Sequence, residues 1–382
     1  MNNPKNSIKK AVYIRTFGCQ MNDRDSEALL GLFVDLGYSV AKEPKEADVI
    51  LVNTCSVREH AEDRARSFLG SLQKLAERRR SRGAKHKIIG LIGCMAQNTG
   101  EEIFKRMPYV DLICGPGCLD RVVAYIQKIE KEKVRILDLE DKKRKSEFYQ
   151  GSYRIESDHA QVVISTGCSN YCSYCVVPYV RGELRLRKPK DIIDEIKQNI
   201  ALGISKITLL GQNVNDYFFN QRVNFVELLN RIEAINGLTE LNFITSQPRN
   251  IPKGLFELMA KSDKISKHLH LPFQSGSNRI LKAMKRGYTI DKYLQIVSDY
   301  KKIVKGTLST DVIVGFPTES DEDFAQTKEV LEKVRFSSAY IFKYSPRKRA
   351  KSAKLIDDLV QSEKVKRHKI LLDLQRKISR DG

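Results

Sequence analysis

The chain has 382 residues, of which 41% are hydrophobic and 30% are charged, so it is long enough for two or three globular domains. No apolar run approaches the roughly 18 residues of a membrane span and the N-terminus is polar, which excludes a membrane protein and a signal peptide and predicts a cytoplasmic location. Lys and Arg outnumber Asp and Glu by 67 to 47, and the net charge of +20 favours a polyanionic partner, most often a nucleic acid.

The first third of the chain alternates apolar, β-branched runs with amphipathic stretches. The runs predict four strands, at 11–17, 48–54, 87–93 and 110–114. The helix after the first strand has Asp25 as a candidate cap and ends at Gly37. Because strands and helices alternate, residues 11–135 are predicted to form an open, mainly parallel α/β sheet domain. The charged segment 136–158 is predicted to be a linker with room for one short strand.

A second α/β series follows this linker. Its predicted strands lie at about 161–166, 206–211, 240–245, 267–272, 308–316 and 338–344. Six strands joined by crossover helices predict a partial (β/α)6 barrel over residues 159–350, since a closed barrel of this type has eight. Residues 351–382 are predicted to form a charged C-terminal helical segment, whose Lys and Arg side chains are either solvated or in contact with RNA.

Three cysteines directly follow the first strand of the second series. Cys168, Cys172 and Cys175 have the spacing C-x3-C-x2-C, and three thiolates on one short loop can ligate three corners of a cubane iron–sulfur cluster. A 4Fe–4S cluster has four irons, so one iron is left open for another ligand. Zinc is the alternative, but a zinc site normally takes four protein ligands, and no second cysteine pair lies nearby. We therefore predict a 4Fe–4S cluster on this loop.

Three more cysteines each follow a predicted strand of the first domain. Cys19, Cys55 and Cys94 come after its first, second and third strands. Ligands gather beyond the carboxyl ends of the strands in an open parallel sheet, so we expect the three thiols to converge and to hold a second cluster with one open iron. Cys114 and Cys118 compete for this role, and we expect them to be structural and buried, as free cysteines commonly are.

The runs around both cysteine sets resemble the radical S-adenosylmethionine methylthiotransferase family. The matching runs are TFGCQMNDRDSE (16–27), NTCSVREHAEDR (53–64), GCMAQ (93–97), GCSNYCSYCVVPYVRGE (167–183), LLGQNVNDY (209–217), HLPFQSGSNRILKAMKRGYT (270–289) and STDVIVGFP (309–317). The resemblance implies that the open iron of the loop cluster binds S-adenosyl-L-methionine, which is cleaved to a 5′-deoxyadenosyl radical. It also implies that the second cluster carries a sulfur, which is methylated and then transferred as methylthio. The implied cofactors are two 4Fe–4S clusters and S-adenosyl-L-methionine.

Two of these runs, GQNVN and VVPYVRGE, resemble the tRNA-modifying branch of the family. This branch converts N6-dimethylallyladenosine (isopentenyladenosine) at position 37 of tRNA to its 2-methylthio derivative. The resemblance implies the tRNA anticodon stem–loop as a partner, a low-potential electron donor such as flavodoxin or ferredoxin, and a monomer without membrane contact. The alternatives are methylthiolation of threonylcarbamoyladenosine in tRNA or of a ribosomal-protein aspartate. A non-enzymatic iron–sulfur or zinc RNA-binding module is a further alternative, but it does not explain why both cysteine sets have three members.

Polar residues at the ends of the barrel strands are the candidate cofactor-binding residues. They are Gly211, Gln212, Asn213, Thr245, Ser246, Gln274, Ser275 and Arg185. Glycine permits close ligand approach, and amides and hydroxyls can hydrogen-bond to a cofactor or to a base edge. Arg185 lies just past the cysteine loop with Arg181 and Arg187, and these arginines are candidates to hold the cofactor carboxylate or tRNA phosphates.

The sequence also departs from the family at several points. Gln247 stands where members usually have a histidine, and Leu186 stands where a serine commonly precedes the last arginine of the RGExxxR segment. The stretch 344–353 lacks the usual Gly-Thr after its arginine. The chain stops near the point where the family's C-terminal β-barrel RNA-binding domain normally begins, so we expect that domain to be absent.

Overall fold

The computed structural model describes residues 10–57, 59–80, 86–141, 146–151 and 153–381. The chain divides into two compact units. Unit 1 comprises residues 1–157 together with 179–182, and unit 2 comprises residues 158–178 and 183–382. Both units are α/β, as the alternation of apolar runs predicted. Within the described residues, no helix combines the length and the apolar character that a membrane crossing requires.

Unit 1 contains a six-stranded sheet in which neighbouring strands are parallel. Its strands are β1 (Ala11–Phe17), β2 (Ser39–Val40), β3 (Val49–Thr54), β4 (Ile88–Gly93), β5 (Leu112–Cys114) and β6 (Ile136–Asp138). Its helices are α1 (Gln20–Asp35), α2 (Glu59–Arg80), α3 (Cys94–Arg106) and α4 (Val122–Glu132). The strand order is β2-β1-β3-β4-β5-β6. Every residue of β3 and β4 is buried, which explains why these strands are continuous apolar runs rather than alternating ones.

The first helix begins earlier than the sequence predicted. α1 starts at Gln20, directly after Cys19, whereas the prediction took Asp25 as its cap. Asp25 is instead fully buried inside the helix, and its carboxylate is bound by side chains from distant parts of the chain. The end of the helix agrees with the prediction, since Gly37 follows it with a φ of +84°.

The segment predicted to be a linker contributes to the fold of unit 1. β6 lies within residues 136–158 and pairs with β5 at the edge of the sheet. Tyr149 is buried, its carbonyl accepts a hydrogen bond from Arg24 at 2.7 Å, and its hydroxyl donates to Asp25 at 2.7 Å. The short strand agrees with the prediction, whereas the buried contacts of Tyr149 were not predicted, because charge and weak periodicity do not reveal a few buried side chains.

Unit 2 carries the second α/β series. Its strands are β7 (His159–Val163), β8 (Ser165–Thr166), β9 (Arg185–Leu186), β10 (Lys206–Leu210), β11 (Phe218–Phe219), β12 (Val223–Asn224), β13 (Glu240–Ile244), β14 (His268–His270), β15 (Thr307–Val314) and β16 (Ser338–Lys343). The remaining helices are α5 (Val177–Arg181), α6 (Pro189–Ala201), α7 (Phe225–Glu233), α8 (Leu255–Lys261), α9 (Asn278–Ala283), α10 (Ile290–Ile303), α11 (Asp321–Val334) and α12 (Gln361–Arg380). The last three residues of α5 belong by their contacts to unit 1.

Six strands of unit 2 form the partial barrel. β7, β10 and β13 make one parallel sheet, in the order β13-β10-β7, and β14, β15 and β16 make a second one. A parallel bridge between Leu241 and Ile265 connects β13 with the segment before β14. The strands and the helices outside them share one apolar core. The predicted open barrel of six strands is therefore confirmed.

The predicted first barrel strand, 161–166, is split into two elements. β7 ends at Val163, and β8 pairs antiparallel with β9 instead of continuing the barrel sheet. The cysteine loop therefore leaves from a two-stranded ribbon beyond the carboxyl end of β7.

Two buried basic side chains of the C-terminal helix α12 form ion pairs within unit 2. Arg367 is 3% exposed and binds Glu319 at 2.7 Å and Glu363 at 3.1 Å. Lys364 is also 3% exposed and pairs with Asp357 at 2.6 Å. The sequence predicted basic side chains that are solvated or in contact with RNA, whereas these two are used inside the protein.

Candidate functional site

The three cysteines of unit 1 lie at the carboxyl ends of adjacent strands. Cys19 follows β1, Cys55 follows β3 and Cys94 follows β4. The Cys19 and Cys55 thiols are hydrogen-bonded to one another, and both are within electrostatic range of Cys94. Gly18 permits this approach, since a Cβ there would collide with the Cβ of Cys55. β1 and β3 flank the point where the strand order reverses, which is where open α/β sheets bind their ligands.

The junction at which β4 passes directly into α3 is packed against its neighbours through Gly93 and two asparagines. Gly93 has a φ of +88°, which L side chains rarely adopt, and a Cβ there would collide with Asn53 Oδ1. Asn22 Nδ2 donates to the same Asn53 oxygen at 2.8 Å, and Asn22 Oδ1 accepts from Cys19 Sγ at 3.1 Å. This network fixes the positions of the loops that carry the cysteines.

A buried arginine lies against one of these cysteines. The Arg181 side chain is 3% exposed, and its guanidinium donates to Cys94 Sγ at 3.1 Å and to Asp25 at 3.0 Å. The hydroxyl of Tyr149 donates to the same carboxylate at 2.7 Å. One nitrogen of Arg181, Nη1, has no hydrogen-bond partner among the described residues. The sequence had assigned Arg181 to the cofactor carboxylate or to RNA, and its partner Asp25 lies too far along the chain for a motif to reveal it.

The three thiols differ in acidity. The hydrogen bond from Cys55 lowers the pKa of Cys19 to about 6, and the charge of Arg181 contributes. The hydrogen bond with Cys19, together with burial, raises the pKa of Cys55. Burial also raises the pKa of Cys94. An acidic thiol and a buried guanidinium fit thiolate ligation, which iron–sulfur clusters require. Among the described side chains no three His, Cys, Asp or Glu residues surround a single metal position, whereas the thiolates of a cubane each bind a different iron.

Cys114 and Cys118, the competitors for this role, are fully buried as predicted. Their thiols are hydrogen-bonded to each other, and Cys118 Sγ also donates to the carbonyl of Glu140 at 3.0 Å. Burial raises the pKa of Cys114 well above the ordinary thiol value. These contacts give both cysteines a structural role beside β5.

In unit 2, the cysteine loop is held by backbone hydrogen bonds from two other segments. The N–H of Ser173 donates to Met284 O at 3.0 Å, and the carbonyl of Ser173 accepts from the N–H of Ser352 at 2.8 Å. Asn170 Nδ2 donates to Cys168 Sγ at 3.4 Å. Burial raises the pKa of Cys168 and raises that of Cys175 to about 12, so both thiols are harder to ionise without a metal.

A second buried arginine lies against this loop. Arg286 is 6% exposed and donates to Cys172 Sγ at 3.5 Å, to the Tyr174 hydroxyl at 3.3 Å and to the Pro272 carbonyl at 3.0 Å. Within the described part of the chain, no carboxylate lies within ion-pair distance of Arg286. A buried guanidinium is costly unless an anion compensates it, and the thiolates of a cluster on this loop would be that anion.

Buried polar atoms that have no hydrogen-bond partner among the described residues lie beyond the carboxyl ends of the barrel strands. They are Ser165 Oγ, Gln212 Oε1, Asn213 Oδ1 and Nδ2, Ser246 Oγ, Gln247 Oε1 and Gln274 Oε1, and we call these six residues the unpaired polar set. Each such atom costs about 1–3 kcal/mol unless a ligand satisfies it. The set therefore fits a polar cofactor such as S-adenosylmethionine.

Four members of this set were predicted from the sequence, namely Gln212, Asn213, Ser246 and Gln274. Ser165 and Gln247 were missed as binding residues. Their positions at strand ends were the available signal, but Ser165 was read as the interior of a longer strand.

The other candidate residues are placed as follows. A Cβ on Gly211 would lie 2.6 Å from Ser165 Oγ, so the glycine permits close packing there. The carbonyl of Thr245 accepts from the N–H of Val214 at 2.9 Å. The hydroxyl of Ser275 accepts from the N–H of Ser277 at 3.2 Å, so it has a structural partner.

The arginines beyond the cysteine loop have different surroundings. Arg185 lies on β9, paired with Thr166 of β8. Arg187 forms a buried ion pair with Glu195 at 2.6 Å and donates to Val163 O at 2.7 Å, which assigns it to the fold rather than to a ligand.

Comparison with known proteins identifies two families along the chain. Residues 11–115 match the family described as Uncharacterized protein family UPF0004, and residues 162–331 match the Radical SAM superfamily. The tRNA-2-methylthio-N(6)-dimethylallyladenosine synthase of Clostridium botulinum (strain Okra / Type B1) is 42% identical over 96% of this chain and 82% of its own length. The proteins of the same name from Moorella thermoacetica and Desulforamulus reducens are 41% and 40% identical, over 97% and 99% of this chain and 84% and 83% of their own.

Solved structures of remote relatives share the fold. The radical S-adenosylmethionine methyltransferase TsrM from Kitasatospora setae, with cobalamin and a 4Fe–4S cluster bound, aligns with a TM-score of 0.63 at 14% identity over 88% of this chain and 75% of that one. The cobalamin-dependent S-adenosylmethionine radical enzyme OxsB aligns with a TM-score of 0.57 at 12% identity over 94% of this chain and 56% of that one. At such identities the likeness shows the fold alone.

Proposed function

The chain belongs to the family of tRNA-2-methylthio-N(6)-dimethylallyladenosine synthases, and we propose that it transfers a methylthio group to C2 of N6-dimethylallyladenosine at position 37 of tRNA. It is a radical S-adenosylmethionine methylthiotransferase that uses 4Fe–4S clusters and S-adenosylmethionine. One observation carries the reaction proposal: a single chain has a three-cysteine site on a barrel loop and another at the carboxyl ends of three neighbouring strands. One such site suffices to generate a radical, so the second indicates a further step, and sulfur insertion is such a step. The names of the relatives support the substrate.

The barrel residues have the roles of binding and charge compensation. Cys168, Cys172 and Cys175 hold the cluster, which together with S-adenosylmethionine supplies a 5′-deoxyadenosyl radical. Arg286 donates to Cys172 Sγ and compensates the charge of the ligand thiolates. The unpaired polar set orients the cofactor, because its amides and hydroxyls have no other hydrogen-bond partners among the described residues.

The residues of unit 1 hold the sulfur to be transferred. Cys19, Cys55 and Cys94 are the ligands of the second cluster, and Arg181 compensates charge at Cys94 while Asp25 fixes its orientation. A radical route suits the substrate, because an aromatic C–H of adenosine is not acidic enough for ordinary base catalysis at neutral pH.

The proposal includes the partners that this chemistry needs. The substrate is presented by the anticodon stem–loop, and the net charge of +20 supports binding of a polyanion. A low-potential donor such as flavodoxin or ferredoxin supplies the electron, and the chain acts as a cytoplasmic monomer.

Nucleoside mass spectrometry tests this function. The chain is expressed in a host that makes N6-dimethylallyladenosine but no methylthio derivatives, and its tRNA is digested and analysed. The 2-methylthio derivative is expected to appear while its precursor declines, and the Cys168→Ala variant serves as the inactive control. A methylthio product on threonylcarbamoyladenosine or on a ribosomal-protein aspartate would reassign the substrate. No methylthio product from protein that carries both clusters would refute the proposed function.

A further inference from the structure

A cavity on unit 1 lies outside the sites described so far. It is a shallow depression that is open to solvent, with a volume of about 510 Å³. Its lining residues are Tyr13, Arg15 and Phe17 of β1 and Asp63, Arg64, Ser67 and Phe68 of α2. We call it the aromatic–arginine pocket.

The side-chain periodicity of β1 and of α2 explains why these residues line the pocket. Alternate residues of a strand share one face, so Tyr13, Arg15 and Phe17 all face α2. Residues four apart on a helix are neighbours, so Arg64 and Phe68 lie together. The ring of Phe68 lies 5.9 Å from that of Phe17 and 6.4 Å from that of Tyr13. Three adjacent aromatic rings therefore form the floor of the pocket.

Two arginines stack on this floor. The guanidinium carbons of Arg15 and Arg64 lie 5.5 Å and 5.2 Å from the centroid of the Phe17 ring, and both residues are exposed. Neither guanidinium has a hydrogen bond or an ion pair with any described residue. A stacked guanidinium keeps its N–H edge available for a phosphate, which it can bind bidentately. The one carboxylate of the lining, Asp63, leaves an excess of positive charge.

The strand β1, which lines the pocket, also borders the exposed edge of the sheet and contacts the loop that carries Cys55. β2 pairs only with Ala11 and Val12, so beyond Val12 no strand among the described residues covers the outer edge of β1. At the other end of the pocket, the carbonyl of Phe17 accepts from the N–H of Cys55 at 2.9 Å. The same residue therefore supports the aromatic floor and the loop that carries a proposed cluster ligand.

We propose that the aromatic–arginine pocket binds an unpaired nucleotide of tRNA, with its base on the half-buried rings of Tyr13 and Phe68 and its phosphates at Arg15 and Arg64. Phe17 supports the pocket from below, because its ring is 7% exposed and both guanidiniums lie over it. Stacking surfaces combined with arginines are how proteins hold single-stranded RNA, because every base has a π-face and every linkage a negative charge. The net charge of +20 supports the same partner. The identity of the RNA rests on the proposed function.

Binding of an unmodified tRNA transcript by the cluster-loaded protein tests the pocket, with fluorescence anisotropy at several salt concentrations. The double variant Arg15→Gln/Arg64→Gln is expected to bind about tenfold more weakly, and its log Kd should depend less steeply on log salt, by about 1–2 units. Tyr13→Ala is expected to bind about tenfold more weakly with an unchanged salt slope, because stacking rather than charge is lost.

The matched control is Lys74→Gln/Lys105→Gln, which removes two exposed charges from the same unit outside the pocket. It is expected to change the affinity less than about twofold. Equal weakening by the control pair would overturn the proposal, since the effect would then be one of general charge. Circular dichroism melting of each variant separates a binding loss from unfolding.

Ultraviolet crosslinking of the wild-type complex gives a second readout. After trypsin digestion, crosslinked nucleotides are expected on the peptides 11–15 or 67–74, which carry Tyr13 and Phe68. Crosslinks confined to other peptides, together with unchanged affinity of the arginine variant, would overturn the pocket. Unchanged tRNA affinity with lost binding of flavodoxin would assign the surface to an acidic protein and also refute the proposal.

The two proposals fail in different ways. If the chain forms no methylthio product but its tRNA binding depends on Arg15 and Arg64, the pocket stands and the proposed function fails. If product forms normally and the arginine variant binds tRNA as well as the wild type, the pocket alone is refuted.

Discussion

The two cysteine sites are built in opposite ways. In unit 2, Cys168, Cys172 and Cys175 lie on one short loop, and a local spacing defines the site. In unit 1, each cysteine ends a different strand, and the site exists only because β1, β3 and β4 are neighbours in the sheet. A loop site therefore depends mainly on its own residues, whereas a sheet-edge site depends on the fold of the whole unit.

The two sites also differ in how their buried arginine is compensated. Arg181, beside Cys94, has a carboxylate partner in Asp25 at 3.0 Å. Arg286, beside Cys172, has no such partner among the described residues, and only thiol, hydroxyl and carbonyl groups surround it. At the loop site, the thiolates of a bound cluster would be the main anions beside Arg286. At the sheet-edge site, Asp25 also compensates the charge of Arg181.

The largest expected effect comes from removing the loop site. Replacing Cys168, Cys172 and Cys175 by Ala should reduce the iron content after anaerobic reconstitution from about eight to about four, since each cubane holds four. Cleavage of S-adenosylmethionine and methylthio formation should both be lost. Iron analysis and chromatography of 5′-deoxyadenosine measure these outcomes, and retained cleavage would contradict the assignment of this site.

Removing the sheet-edge site should separate the two activities. Replacing Cys19, Cys55 and Cys94 by Ala should again leave about four irons. Cleavage of S-adenosylmethionine should continue, because the loop site is intact, while the methylthio nucleoside disappears. If cleavage also stopped, the division of labour between the two sites would be wrong.

A single methyl group should damage only the sheet-edge site. Gly93→Ala adds a Cβ that collides with Asn53 at a φ of +88°, at a cost of about 1–3 kcal/mol in backbone strain plus the collision. About four irons should remain, and radical formation should persist. Gly203→Ala is the matched control, because Gly203 has the same φ of +88° but open space around it, and it should keep about eight irons.

Replacing a buried amide of the barrel should raise the stability of the protein and weaken cofactor binding. Asn213→Leu removes two buried polar atoms that have no partner in the described part of the chain, so the ligand-free protein should gain about 1 kcal/mol of stability, measured by denaturant unfolding. Binding of S-adenosylmethionine should weaken about tenfold, measured by calorimetry. In the control Asn199→Leu, a buried amide that donates to Glu195 O at 2.8 Å is lost, and stability should fall. Lower stability of the Asn213 variant would remove the argument for a ligand there.

The smallest effect concerns the charge at the loop site. The positive charge of Arg286 stabilises the reduced cluster, because that state is the more negative one. Arg286→Gln removes this charge, so the reduction potential should become more negative. A charged hydrogen bond of about 1.5–3 kcal/mol corresponds to roughly 60–130 mV for one electron. Redox titration followed by electron paramagnetic resonance measures the shift, with exposed Arg222→Gln as the control. Equal potentials would show that Arg286 does not act on the cluster.

Sequence reasoning was successful where the signal is local or periodic. Most of the longer strands in both units, the burial of Cys114 and Cys118, and the placement of three cysteines at neighbouring strand ends were predicted. It failed at the start of α1, where Asp25 resembled a cap, and at Tyr149 in the predicted linker, which is buried and bound to α1. In both cases the controlling partners lie far away along the chain.

The kind of chemistry could be predicted from the amino-acid sequence alone, because the cysteine spacing and the recurrence of a cysteine after successive strands are both visible along the chain. The folded chain was needed to see which arginines are buried and which amides have no partner among the described residues. Arg181 and Asp25 are 156 positions apart, and Phe17 and Arg64 belong to different elements. Hydrogen bonds and ring contacts of this kind form between groups that folding brings together, so no local pattern encodes them. The two cysteine sites illustrate this difference. The spacing of three residues on one loop defines the first site, whereas the order of the strands in a sheet defines the second.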